Sequence, residues 1–181
     1  NGAALAVYAG HSPSTPVWST EFAPSGYYFA SAGSDSTARL WTTDRPCHLR
    51  IFVGHLSPSV NTVTWHQNCN YILTGSDDKT VRMWDVQTGQ TVRLLTGCSA
   101  GVNIVKVCPS GRYVAGADYH GVVHIWELAS GRKVHELRQP SVFKNKNKNN
   151  NHKIFSQGPI IRSMSYSVCG TALATGGEGC S

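Results

Sequence analysis

The chain is poor in charge. Asp, Glu, Lys and Arg make up 14% of its 181 residues, against roughly 25% in ordinary soluble domains. No stretch approaches ~18 uninterrupted apolar residues, so no membrane-spanning helix is expected. The opening, Asn1 to Gly10, has no basic residue ahead of its apolar run and does not read as a signal peptide. It also has no initiator methionine, as expected of a fragment. No Asn-x-Ser/Thr sequon is present, so nothing points to secretion. The six cysteines (Cys47, Cys69, Cys98, Cys108, Cys169, Cys180) form no Cys-x-x-Cys pair. Their spacings, from 10 to 61 residues, suggest no metal knuckle. They read as buried or incidental thiols of a reducing compartment.

What the chain does have is polar without being charged. Mean hydropathy is −0.22. There are 18 glycines for tight turns and 5 tryptophans as large anchors. That composition suits an all-β protein of many short strands, and the length is enough for a real core. Of the net charge of +6, four charges come from Lys144, Lys146, Lys148 and Lys153, leaving +2 for the remainder. A nucleic-acid binder shows its basic excess on the folded face as well. Direct nucleic-acid contact is therefore not expected of the folded part.

An internal repeat organises the rest. Gly10-His11, Gly54-His55 and Gly97-Cys98 recur at intervals of 44 and 43. Trp41, Trp84 and Trp126 recur at intervals of 43 and 42, and Trp84 is followed by Asp85, Trp126 by Glu127. Three units that agree at two landmarks match the WD-repeat signature. The expected architecture is about four blades of a seven-bladed β-propeller.

Each unit reads as four strands. In residues 10–53 they are Val17–Ala23, Tyr27–Ala32, Thr37–Trp41 and Leu49–Val53. In 54–96 they are Val60–His66, Tyr71–Gly75, Thr80–Trp84 and Thr91–Leu95. In 97–138, a degenerate unit, they are Val102–Val107, Arg112–Gly116, Val122–Trp126 and Lys133–Leu137. Leu5–Tyr8, within residues 1–9, is expected to be the outer strand of a preceding blade. Residues 158–181 hold a truncated blade with strands at Pro159–Tyr166 and Thr171–Gly176. Between them, 139–157 contains the run Lys144 to Asn151, which has no apolar residue and cannot repay the entropy of ordering. A nuclear-import patch or weak phosphate binder is the alternative reading of that run. A low-complexity insertion is preferred.

One constellation invites a catalytic reading. His11, Ser31 and Asp35 lie in one unit, and His55, Thr74 and Asp78 repeat them. Ser-His-Asp is a nucleophilic device. Yet in both units the Asp lies six residues before Trp41 or Trp84, and the hydroxyl four before the Asp. A chain from Asp to His to hydroxyl to indole N–H would tie turn to strand with every polar atom satisfied. A catalytic set copied in each repeat, with no Gly-x-Ser-x-Gly, is the poorer reading. No catalytic, cofactor or metal residue is assigned. In the third unit Cys98, Gly116 and His120 replace His, hydroxyl and Asp, leaving only Trp126. That unit is expected to hold by packing. Arg39 and Arg82, two residues before their Trp, read as stems packed between blades, with partner binding as the alternative. His48, His66 and His135 have no metal-ligand spacing.

The wording of the repeats is more particular. Pro16-Val17-Trp18, Gly26-Tyr27-Tyr28-Phe29-Ala30-Ser31, Ala38-Arg39-Leu40-Trp41-Thr42-Thr43-Asp44, Leu49-Arg50-Ile51-Phe52, Gly54-His55-Leu56, Asn68-Cys69-Asn70-Tyr71 and Asp85-Val86-Gln87-Thr88-Gly89 resemble the WD-repeat domain of one family. It is that of the fifth TATA-binding-protein-associated factor of TFIID and its relative in SAGA-type coactivators. The resemblance is densest from Pro16 to Gly97. It implies a nuclear, non-catalytic scaffold subunit whose propeller docks histone-fold partners within the TATA-binding-protein assembly. The residues alone reach only a protein-binding propeller segment. The alternative is an adaptor of another complex, such as a ubiquitin-ligase substrate receptor.

Overall fold

The computed structural model describes residues 6–138 and 159–178. Fourteen strands and no helix are found among them. The first antiparallel sheet contains β1 (Val17–Phe22), β2 (Tyr28–Gly33), β3 (Thr37–Thr42) and β4 (Arg45–Val53). The second contains β5 (Val60–Trp65), β6 (Tyr71–Ser76), β7 (Val81–Asp85) and β8 (Thr91–Leu95). The third contains β9 (Val102–Val107), β10 (Tyr113–Asp118), β11 (Val122–Glu127) and β12 (Lys133–Arg138). A two-stranded sheet of β13 (Ile161–Tyr166) and β14 (Leu173–Gly177) follows. The order within each is that of the sequence, so every sheet is a meander. The inner strands β1, β5, β9 and β13 lie against one another in succession. This is a segment of a β-propeller.

Hydrophobic burial holds the sheets face to face. Ala30, Ala32, Ala38, Leu40 and Phe52 of the first sheet pack on Val60, Val63, Trp65, Ile72 and Trp84 of the second. Small residues on one face admit large ones from the next, which is how such layers interdigitate. Leu73, Val81, Met83 and Leu95 meet Val102, Val105, Val107, Val114 and Trp126 in the same way. Ala115, Ala117 and Val123 meet Ile161 and Met164. Strands such as β6 and β10 are therefore buried on both faces, whereas β12 is exposed throughout.

Each inner strand carries a β-bulge near its start. Pairing skips from Val17 to Ser19, from Val60 to Thr62, from Val102 to Ile104 and from Ile161 to Ser163. The residues passed over are Trp18, Asn61, Asn103 and Arg162. A bulge leaves its extra residue outside the pairing and re-aims its side chain.

Two expectations need correction. Ala6, Val7 and Tyr8 form no strand, and Leu5 lies outside the described residues. They take no place in the strand order of any sheet. Tyr8 instead sets its ring against Phe29 and Trp41 and donates its hydroxyl hydrogen to Thr43 O. The outer strand of the first sheet begins at Arg45, four residues before Leu49, because Thr42 pairs with Arg45 in a tight hairpin. The Lys/Asn run falls within residues 139–158, outside the described residues.

Candidate functional site

The structure brings His11, Ser31, Asp35 and Trp41 together. Trp41 Nε1 donates to Ser31 Oγ at 2.8 Å, Ser31 Oγ lies 2.6 Å from His11 Nε2, and His11 Nδ1 lies 2.9 Å from Asp35 Oδ2. His55, Thr74, Asp78 and Trp84 repeat the chain at 2.8, 2.7 and 2.8 Å. A neutral imidazole with its proton on Nδ1 satisfies every donor and acceptor in both. Ser31 is 3% exposed and Thr74 0%, so neither hydroxyl is open to a substrate. The Asp also accepts the N–H of Ser12 or Leu56 and the hydroxyl hydrogen of Thr37 or Thr80. Burial alone would raise Asp35, but hydrogen bonds from Thr37, His11 and Ser12 outweigh it and hold the carboxyl at about 2. The same balance, with His55, Thr80 and Leu56, holds Asp78 well below the usual carboxylate range.

The glycine of each Gly-His pair has a steric cause. A Cβ on Gly10 would stand 2.6 Å from Trp41 Cη2, and one on Gly54 3.0 Å from Trp84 Cη2. The indole occupies the place a side chain would need. Arg39 and Arg82 cover the same indoles. Arg39 Nη2 reaches Asp35 Oδ2 at 3.3 Å, and the Arg82 guanidinium lies 5.9 Å from the Trp84 ring centre. Arg39 therefore joins the polar chain of its own sheet, and Arg82 lies over the indole of its own sheet.

The third sheet departs from its expectation. It is not held by packing alone. Asp118, two residues before His120, is fully buried. It accepts from Ser99 Oγ at 2.8 Å, from His124 Nε2 at 3.1 Å and from the N–H groups of His120 and Val122. Burial raises Asp118, but hydrogen bonds from His124, Ser99 and Val122 bring it well below the ordinary range. Gly116 leaves the space that Trp126 Cζ3 enters, 3.0 Å from an added Cβ. The shifted indole donates to Thr96 O at 3.1 Å instead. Cys98 faces Asp118, and burial pushes its thiol up to about 12.

Contacts between sheets repeat as well, and the sequence reading missed them. Arg50 Nη1 donates to Thr88 O and Arg93 Nη2 to Ala129 O, each stem lying against the next sheet's Gly89 or Gly131. Asn61 Nδ2 donates to Val102 O, and Asn103 Nδ2 to Ile161 O. His66 Nε2 lies 3.0 Å from Gly111 O. The spacing of 43 between Arg50 and Arg93 was a usable signal. No group of three or more His, Cys, Asp and Glu able to hold a metal occurs among the described residues.

The family profile "WD domain, G-beta repeat" matches residues 2–42, 46–85 and 89–127. The chain belongs to the WD-repeat family. Each matched unit after the first starts at the outer strand of one sheet and ends at the tryptophan strand of the next, so repeat and sheet are out of phase. Over 118 residues, 65% of this chain, it is 47% identical to "Transcription initiation factor TFIID subunit 5" of Caenorhabditis elegans, spanning 18% of that protein. It is 33% identical over 120 residues, 65% of the chain, to "Protein LST8 homolog" of Drosophila melanogaster, spanning 38% of it. It is 34% identical over 116 residues, 61% of the chain, to "Guanine nucleotide-binding protein subunit beta" of Arabidopsis thaliana, spanning 30% of it. The chain thus spans well under half the length of each of these WD-repeat relatives.

Proposed function

We propose that this WD-repeat chain is part of the propeller of a non-catalytic scaffold subunit in a TFIID-like transcription initiation complex. In that role it works in the nucleus and docks histone-fold partner subunits. The observation that carries the reading is the 47% identity to TFIID subunit 5, against 33–34% for the two WD-repeat relatives above from other systems. The geometry is consistent with it. The hydroxyls of both Ser/Thr-His-Asp chains are buried and already bonded on two sides. They act as structural ties, and the molecule offers rigid area and shape for partners. The described residues carry a net charge of +2, too small for tight phosphate binding.

Affinity purification of the tagged full-length protein tests this. Histone-fold subunits together with TATA-binding protein are the expected result. Histone-fold subunits with an acetyltransferase would place the protein in a SAGA-type complex. A cullin-linked adaptor, or no stable partner, would overturn the transcription reading and leave the propeller intact.

A further inference from the structure

Charge is unevenly placed on the described residues. The outer strands β4, β8 and β12 hold Arg45, Arg50, Arg93, Lys133 and Arg138 against Glu136 alone, a net charge of +4. All other described residues together carry −2. The same outer strands expose Leu49, Ile51, Val53, Val92 and Leu94. The rim of the propeller segment is therefore basic and apolar at once. Its complement is a surface that is acidic and apolar at once.

One cleft in this rim is open. Tyr27, Tyr28, Leu49, Arg50, Tyr71 and Asp85 line a space of about 770 Å³ where the first sheet meets the second. Tyr27 is 73% exposed and Leu49 45%. Arg50 makes one long hydrogen bond, from Nη1 to Thr88 O at 3.4 Å, and has no ion pair among the described residues. The other N–H groups of its guanidinium are open to a ligand. Asp85, the one carboxylate in the cleft, serves its own turn. Its Oδ1 accepts the N–H of Thr88 at 2.7 Å and the Thr88 hydroxyl hydrogen at 3.0 Å. Those bonds, more than the Arg50 charge, hold the Asp85 carboxyl below its ordinary value.

The next seam has the same place filled. Tyr113 pairs with Glu127 across β10 and β11 as Tyr71 pairs with Asp85 across β6 and β7. There Arg112 stands where the second sheet has Asn70. Its guanidinium lies 5.5 Å from the Tyr113 ring centre and 3.9 Å from Glu127 Oε1. Leu128 is buried where Val86 is half-buried. The first seam lacks both the ion pair and the buried leucine, and its cleft stays open.

We infer that this cleft receives an extended acidic segment of a partner protein. An aliphatic side chain of that segment lies among Tyr28, Leu49 and Tyr71, and a neighbouring carboxylate pairs with the Arg50 guanidinium. The planar fork of arginine accepts a carboxylate on two N–H groups at once. A phosphate backbone would satisfy Arg50 and leave the tyrosines and Leu49 in water, whereas an acidic peptide covers both. The inference refines the docking reading above and rests on it.

The test is a titration of the full-length protein into a fluorescent, capped heptapeptide of glycine and serine with aspartate-leucine-aspartate at its centre, read by anisotropy. One control peptide has asparagine in place of both aspartates, and another has alanine in place of leucine. The acidic leucine peptide is expected to bind saturably and about tenfold more tightly than either control. Arg50→Gln should erase the preference for aspartate over asparagine. Arg93→Gln, the same position on the next sheet, should leave it within twofold. Leu49→Ser should erase the preference for leucine over alanine while Arg50 is intact. Equal binding of the aspartate and asparagine peptides, displacement by an oligothymidylate of equal charge, no saturable response, or an unchanged preference in Arg50→Gln each overturns the proposal. Co-purification of transcription subunits is read separately, so loss of one result leaves the other standing.

Discussion

Glu21 and Lys106 are 85 residues apart and form an ion pair, although one lies on the first inner strand and the other on the third. The second sheet lies between them and is part of the contact. Glu21 Oε1 also accepts from Thr64 Oγ1 at 2.9 Å and from Trp65 N at 3.1 Å, and Trp65 Nε1 donates to Glu21 O at 2.9 Å. One carboxylate thus joins three sheets. Both charged groups are about a third exposed, so the ion pair itself adds little in water. Glu21→Ala should cost about 1–3 kcal/mol through the stranded N–H and hydroxyl of the second sheet. Lys106→Ala should cost under about 1 kcal/mol. Urea unfolding of the two variants measures both. Equal losses would mean that the ion pair, not the hydrogen bonds, carries the contact.

The third sheet should depend on Asp118 and not on His120. Asp118→Ala leaves His124, Ser99 and two backbone N–H groups without their acceptor in a buried place. A loss of about 3 kcal/mol is expected, comparable with or above that of Asp78→Ala. His120→Ala should change stability by less than about 0.5 kcal/mol. Thermal or denaturant unfolding of the three variants decides.

Acid should unfold the sheets from within. Asp35, Asp78 and Asp118 are all held below the ordinary carboxylate value. The unfolded chain, with carboxyls near 3.9, then binds more protons than the native one as pH falls. The stability they supply is complete above about pH 5 and drains away below about pH 4, down through the native value of about 2 for Asp35. Stability measured against pH should have its steepest slope there. Asp78→Asn should be less stable at pH 7 and show a shallower acid slope.

Turn positions offer stabilising changes. Cys69 has φ 59° where the matching turns of the other sheets have Gly26, Gly111 and Gly170 at 77, 70 and 74°. Lys79 has φ 67° where the third sheet has Gly121 at 73°. Glycine takes this left-handed conformation at no steric cost. Cys69→Gly and Lys79→Gly should each raise stability by up to about 1 kcal/mol. Gly10→Ala should lower it, since the new methyl meets the Trp41 ring. Melting temperatures of the three variants check the signs.

Much of the architecture was legible because a repeat presents each strand three times over. Alternation set the strands, and equal spacing put His11, Ser31, Asp35 and Trp41 in one unit with His55, Thr74, Asp78 and Trp84 in the next. Those contacts lie within one sheet, where register follows from sequence distance. The third sheet was misread because its polar centre moved to Asp118 and His124. That move needed Gly116 to admit the Trp126 ring, and a space of that kind has no period.

What the sequence alone determined is the local and periodic part: strands, turns, the repeat and the small net charge outside the Lys/Asn run. Only the tertiary structure decided that Glu21 meets Lys106 and that Arg50 and Arg93 reach the next sheet. The physical reason is that a contact between sheets depends on the twist and stacking of whole layers. That geometry is set by how the large side chains of one face fill the gaps left by small residues on the next, and no spacing along the chain records it.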